Sequence, residues 1–271
     1  MLSVLKIGGS VLRDDASYAA TARFLRARLA QRPTPNEDEK LAVIVSAQHG
    51  QTDALLDEAR AVAGDPDPSA LDLLWCTGEL RSVALLSLHL QALGVAAVPF
   101  NVHQTGLVAC PEQRRGACPD RIAGTTVRPL RLLAALASSR IVIVPGFLGV
   151  SPGGTITSLG RGGSDLTAVL LSAAIRADAC ELIKDVPGYF TADPHRDAGA
   201  RPIHDLSIAE ALAMADAGCD LVQRAALAAA AAANLHIVIR SMDAAAPVTH
   251  LRSQHHGIRH EDDSRRAAVG A

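Results

Sequence analysis

The feature that most constrains the fold is a set of continuous apolar runs that stop abruptly at clusters of small residues. Ser3–Ile7 ends at Gly8-Gly9-Ser10, and Leu41–Val45 ends at Ser46-Ala47 with Gly50 close behind. A run without polar alternation reads as a strand covered on both faces. Between the runs lie stretches with helical spacing: about 17–31, 52–63, 69–93, 127–138, 164–176, 206–217 and the alanine-rich 221–234. Further strands are expected at 95–100, 141–144, 179–183 and 236–240, the last closing the sheet. Residues 101–125 lack clear periodicity and read as irregular or β-like loop. Strands alternating with helices predict an α/β fold, a three-layer α/β/α sandwich with a mostly parallel central sheet. One catalytic domain is expected over 1–250, followed by a polar tail over 251–271.

Composition narrows the function classes. Of 271 residues, 49% are hydrophobic and 20% charged, which is globular rather than disordered composition. The net charge of −2 gives no electrostatic case for nucleic acid or an anionic membrane as partner. No apolar run approaches the ~18–20 residues of a membrane span. The N-terminus does not read as a secretory signal. Five scattered cysteines, an odd number without close pairs, argue against a disulfide framework or a zinc site, so a reducing cytoplasm is expected. The tail histidines His255, His256 and His260, with His250 before them, read as solvated.

Lysine is scarce. Of 26 basic residues only Lys6, Lys40 and Lys184 are lysine. Lys40 closes the charged run Glu37-Asp38-Glu39 and reads as a solvated surface residue. Lys6 and Lys184 each end an apolar run beside a glycine-bearing turn, where a compact point charge suits a phosphate. A third small-residue loop, Gly160-Arg161-Gly162-Gly163-Ser164-Asp165, leads directly into a helix. Glycine lets backbone N–H groups approach a phosphate, and a helix N-terminus adds a favourable dipole. None of these loops has the P-loop or dinucleotide-binding spacing.

Taken together and in order, these pieces resemble the amino acid kinase family, and within it the aspartate kinases. They are Lys6-Ile7-Gly8-Gly9-Ser10, Val45-Ser46-Ala47 with Gly50, Thr52, Asp53, Leu55 and Leu56, Gly78-Glu79-Leu80 with Ser82, Leu159–Asp165 with Thr167-Ala168, and Asp185-Val186-Pro187-Gly188 with Thr191-Ala192-Asp193-Pro194. The resemblance covers about residues 2–245. It implies the amino acid kinase fold, ATP as phosphoryl donor with Mg2+, an amino acid or other carboxylate as acceptor, and a homodimer.

The resemblance also implies roles. Lys6 lies on the transferring phosphate, with Gly8, Gly9 and Ser10 around it, and Asp165 organises the catalytic lysines. Ser46, Glu79, Arg161 and Ser164 hold the acceptor, Arg161 at its α-carboxylate and Glu79 at its amino group. Lys184, Asp185, Gly188, Phe190, Asp193 and Pro194 surround the nucleotide. No protein metal ligand is expected, because the nucleotide carries the magnesium.

The chain departs from the aspartate kinase pattern in places. Lys184 stands where threonine is usual, and Cys219-Asp220 stands where alanine-lysine is usual. Lys184 is therefore expected to supply the charge lost at Asp220. His195 follows Asp193-Pro194 in place of arginine, and Gln223-Arg224 stands where histidine-proline is common. The pattern leaves no room for C-terminal regulatory modules, so no feedback inhibition by lysine or threonine is expected through this chain. Two alternatives remain open: a kinase of the same fold acting on another carboxylate or a phosphate monoester, and a nucleotide-binding protein without catalysis.

Overall fold

A computed structural model describes residues 1–31, 39–109, 125–160, 162–194 and 196–253. Strand β1 (Leu2–Ile7) leads to helix α1 (Asp15–Ala30), whose start is fixed by a reciprocal capping box between Asp14 and Ser17. β2 (Lys40–Val45) is followed by α2 (Gln51–Val62) and the long α3 (Pro68–Ala92). Asp67 caps α3 by accepting from the N–H groups of Ser69 and Ala70, and Pro68 fills its first turn. β3 (Val98–Pro99), β4 (Leu107–Val108), β5 (Thr126–Val127), α4 (Leu130–Ser138), β6 (Ile141–Pro145), β7 (Leu148–Val150) and β8 (Ile156–Ser158) follow. Then come α5 (Gly163–Ile175), β9 (Ala179–Ile183), β10 (Tyr189–Phe190), β11 (Pro202–Ile203), β12 (Asp205–Ser207), α6 (Ile208–Asp216), α7 (Arg224–Ala232), β13 (Ile237–Arg240) and β14 (Thr249–Arg252).

The central sheet of the described residues has eight strands in the order β12-β14-β13-β9-β1-β2-β6-β3. Its pairings are parallel except for β13 with β14. Alternate residues of the central strands face opposite layers. Leu5, Ile7, Leu41, Val43, Ile141 and Ile143 pack on Tyr18, Leu25, Val83 and Leu86 of α1 and α3. Val4, Ala42, Ile44, Val142, Val144 and Leu182 pack on Leu132, Leu166, Val169, Ala211 and Leu227 of α4, α5, α6 and α7. Both faces are covered, hence the unbroken apolar runs and the three layers. No described helix is long and apolar enough to cross a membrane.

Several boundaries differ from the sequence reading, each for a local reason. The strand expected at 95–100 shrinks to β3, because Val95 closes α3 by donating its N–H to the Leu90 carbonyl. The helix expected from 127 begins at Leu130, since Thr126–Val127 pairs with β4. Leu206 lies in β12, because a Ser207–Glu210 capping box starts α6 only at Ile208. The alanine-rich helix starts at Arg224 after Gln223 as N-cap.

β13 does not close the sheet: β14 pairs beside it, across the boundary expected at 250. His250 therefore sits in a strand and stacks on His236 at 5.3 Å, rather than in a solvated tail. Residues 254–271, with His255, His256 and His260, lie outside the described residues, as do 110–124 with Cys110 and Cys118. Lys40 is not a free surface residue. It opens β2, and its Nζ donates to the carbonyls of Leu136 and Ala137 at the C-terminal end of α4. A cation there meets unpaired carbonyls and the negative end of the helix dipole.

Candidate active site

Lys6 is the penultimate residue of β1, and Lys184 directly follows β9, the neighbouring parallel strand. Both turn to Asp165 in the first turn of α5. Lys6 Nζ lies 2.8 Å from Asp165 Oδ1 and Lys184 Nζ lies 2.7 Å from Asp165 Oδ2. One carboxylate thus holds two cations side by side, and with both lysines charged the trio carries a net positive charge. All three side chains are nearly buried.

Burial alone would raise the Asp165 pKa. The lysines override it, Lys184 first, and hold the carboxyl at about 2. Lys184 is shifted the other way, to about 8: burial disfavours its charge and Lys6 repels it, against the attraction of Asp165. A polyanion placed on the two ammonium groups would relieve both effects.

Close packing of small residues brings the loops together. A Cβ on Gly9 would lie 2.8 Å from the Ala47 carbonyl oxygen, so only glycine lets the first loop touch the second. Gly162 has φ of +71°, and a Cβ there would overlap the Gln223 side chain. Gly162 is the N-cap of α5, and its carbonyl accepts from the Asp165 N–H at 3.0 Å. Gly8 donates its N–H to the Ile183 carbonyl, tying the first loop to the end of β9. Ser10 Oγ donates to Asp185 Oδ1 at 2.8 Å, linking the first loop to the segment after Lys184.

On the acceptor side, α3 approaches the second loop through Gly78, where a Cβ would lie 3.2 Å from Ala47 Cβ. This sets Glu79 beneath Ser46–Ala47 at 3% exposure. Among the described residues Glu79 Oε2 has no hydrogen-bond partner. Burial pushes the Glu79 carboxyl up to about 8, against the Ala47 amide, the Lys6 cation and the Gly146 amide. A buried acceptor without a donor is an invitation to a ligand donor.

A cavity of about 490 Å3 joins these groups. Lys6, Gly9, Ser10, Ser46, Glu79, Ser164, Asp165 and Lys184 line it, and Asp220 shares it with the lysines. Gly8 and Asp185 do not line it, but each is tied by a hydrogen bond to a neighbouring segment of the site, Gly8 to Ile183 and Asp185 to Ser10. Gly188, Phe190, Asp193 and Pro194 do not line it. Gly188 is pressed against Thr249, whose hydroxyl accepts from the Tyr189 N–H and donates to the Ile203 carbonyl. Arg161 and His195 lie outside the described residues.

The sequence reading assigned no role to Trp75, Phe147 or Gln223, which also line the cavity. Their signal is three-dimensional, because each reaches the site from an element whose neighbours periodicity does not reveal. A larger groove of about 850 Å3 runs beside α3 and β3, but no charged residue lines it. No group of three or more cation-ligating side chains gathers among the described residues.

Comparison with known proteins gives a consistent picture. The model of the amino acid kinase family matches residues 1–241. An aspartokinase of Mycolicibacterium smegmatis is 37% identical over 262 residues, covering 96% of this chain and 59% of that protein. An aspartokinase of Thermus thermophilus is 39% identical over 218 residues, covering 80% of this chain and 51% of that protein. The chain thus spans somewhat more than half the length of these relatives. The crystal structure of aspartate kinase from Synechocystis superimposes with a TM-score of 0.78 at 30% identity, over 96% of this chain and 41% of that one.

Proposed function

The chain belongs to the amino acid kinase family, and from that premise we propose that it transfers the γ-phosphoryl group of ATP to the side-chain carboxylate of L-aspartate or a related amino acid. The observation that carries this reading is the pair of lysines on one buried carboxylate, with a buried acid, Glu79, whose Oε2 has no hydrogen-bond partner among the described residues, in the same cavity. In the transfer, the bond between the γ-phosphorus and the β–γ bridging oxygen breaks. A bond from a carboxylate oxygen to that phosphorus forms, and ADP leaves. A carboxylate with a pKa near ~4 is already ionised at neutral pH, so no general base is required. The site has to align two anions and neutralise the phosphoryl oxygens.

In this reading Lys6 and Lys184 sit on the transferring phosphoryl group, and Asp165 positions both. Gly9 and Ser10 offer backbone N–H donors to the phosphates, while the Gly8 N–H and the Ser10 hydroxyl, given to Ile183 and Asp185, hold the loop in place. Ser46, Ser164, Glu79 and Arg161 hold the amino acid. Asp185, Gly188, Phe190, Asp193 and Pro194 form the surroundings of the nucleoside. Mg2+, carried by the nucleotide, would supply further positive charge to the phosphate oxygens beside Lys6 and Lys184. A homodimer in the cytoplasm completes the proposal, with sedimentation as the check on its size.

The deciding experiment is ATP-dependent hydroxamate formation with L-aspartate, beside L-glutamate, N-acetylglutamate and a control without acceptor. Signal with aspartate is expected, since acyl phosphates react with hydroxylamine. Asp220 in the cavity, where the family pattern has lysine, favours one second reading, a nucleotide binder without turnover. ATP binding with no hydroxamate from any acceptor would establish it in place of the first.

A further inference from the structure

Resting on the reading that this cavity holds a carboxylate acceptor, we propose that Trp75 sets the length of acceptor the site admits. Trp75 is the chain's single tryptophan. It precedes Glu79 by one helical turn, so the indole and the carboxylate share one face of α3 and line the same cavity.

The ring is held in place from two sides. Its indole N–H donates to the Thr52 carbonyl at 3.1 Å, in the first turn of α2. Its plane meets the Phe147 ring edge-on, with centroids 5.5 Å apart at 69°. Phe147 has φ of +66°, a conformation rarely adopted by a residue with a bulky side chain. The strained turn thus directs Phe147 at the cavity, and Trp75 packs against it. Leu56 completes the apolar wall.

Because the N–H is spent on Thr52, the indole offers the cavity a rigid hydrocarbon face and no hydrogen bond. An amino acid whose amino group reaches Glu79 and whose side-chain carboxylate reaches Lys6 is bounded by this wall. One further methylene has to be accommodated against two interlocked rings. A methylene is worth about 10–200-fold in selectivity at a site of this kind.

The test compares Trp75→Leu and Trp75→Phe with the wild-type enzyme, using hydroxamate kinetics with L-aspartate and L-glutamate and the KM for ATP. Trp75→Leu is expected to raise the glutamate-to-aspartate ratio of kcat/KM by ~10-fold or more, with KM for ATP unchanged, while Trp75→Phe holds the ratio within ~3-fold. Equal losses for both acceptors in Trp75→Leu, with the ratio unmoved, would overturn the assignment and leave Trp75 a packing residue.

Intrinsic fluorescence gives a second readout that needs no variant, since one tryptophan supplies all the indole emission. A change on adding L-aspartate without nucleotide is expected, and it keeps the proposal testable if Trp75→Leu fails to fold. Unchanged emission in an enzyme that turns over aspartate overturns the wall alone. Unchanged emission with no hydroxamate from any acceptor overturns both the wall and the proposed function. An emission change without turnover keeps the wall as part of a binding site and removes the kinase reading.

Discussion

At the scale of single residues, the buried charges make opposite demands on pH. Burial holds Glu79 protonated up to about pH 8, so an incoming ammonium group must first displace that proton. Affinity for the amino acid therefore rises as pH approaches that value from below. With ATP saturating, KM for L-aspartate is expected to fall by up to ~10-fold per pH unit below pH 8, and Glu79→Gln should raise KM and flatten the profile. Lys184 runs the other way. Its ammonium is lost above about pH 8, so binding of ATP should weaken as pH rises beyond that. Replacing it by alanine is expected to lower kcat by about 10²–10³, as for other preorganised electrostatic groups. Lys184→Arg should recover little, because a planar fork does not reproduce a point contact of 2.7 Å to Asp165 Oδ2. Lys6 and Lys184 stand out in the sequence because each ends an apolar run beside a glycine-bearing turn, and Asp165 stands out only through the family resemblance; the structure brings the three side chains together. Trp75 and Phe147 were not, since a helical stripe shows which residues share a face but not what that face meets.

At the scale of elements, the loops are built from close approaches that tolerate no side chain. Gly9→Ala would push a Cβ to 2.8 Å from a backbone oxygen, so the loop bearing Gly8 and Ser10 must move. The expected result is a loss of about 10²-fold in kcat from displaced phosphate donors, with the fold retained by circular dichroism. Gly188→Ala acts on a different element. Its Cβ would fall on Thr249 Oγ1, which ties β14 to Tyr189 and Ile203. KM for ATP should rise while KM for L-aspartate stays put, separating the nucleotide side from the acceptor side. The central strands were read nearly to the residue because both of their faces are apolar. Short elements were read poorly, for pairing rather than pattern defines them: β4, β5 and β12 are two or three residues long and exist by virtue of a partner strand.

At the scale of the whole molecule, alternating strands and helices announce a parallel sheet but not which strands are neighbours. β9 lies beside β1 although most of the chain separates them, and that pairing is what places Lys184 beside Lys6. A buried cluster away from the cavity ties the same region together, and it too was invisible in the sequence. Arg28 on α1 donates to Glu39 at 2.9 Å and to Glu181 of β9 at 2.6 Å, while Ser3 of β1 donates to Glu39 at 2.7 Å. Glu39 and Glu181 are 1% and 5% exposed, so Arg28→Met would leave Glu39 without its cation and Glu181 with Arg240 alone, 3.7 Å away. Breaking a buried pair in this way costs about 3–5 kcal/mol, which urea unfolding at pH 7.5 should show, with kcat little changed because no member of the cluster lines the cavity. Arg28→Lys, which keeps a cation at this position, should narrow the stability gap to wild type, and a gap as large as that of Arg28→Met would mean that lost geometry and packing of the Arg28 side chain, rather than unpaired charge, account for the destabilisation.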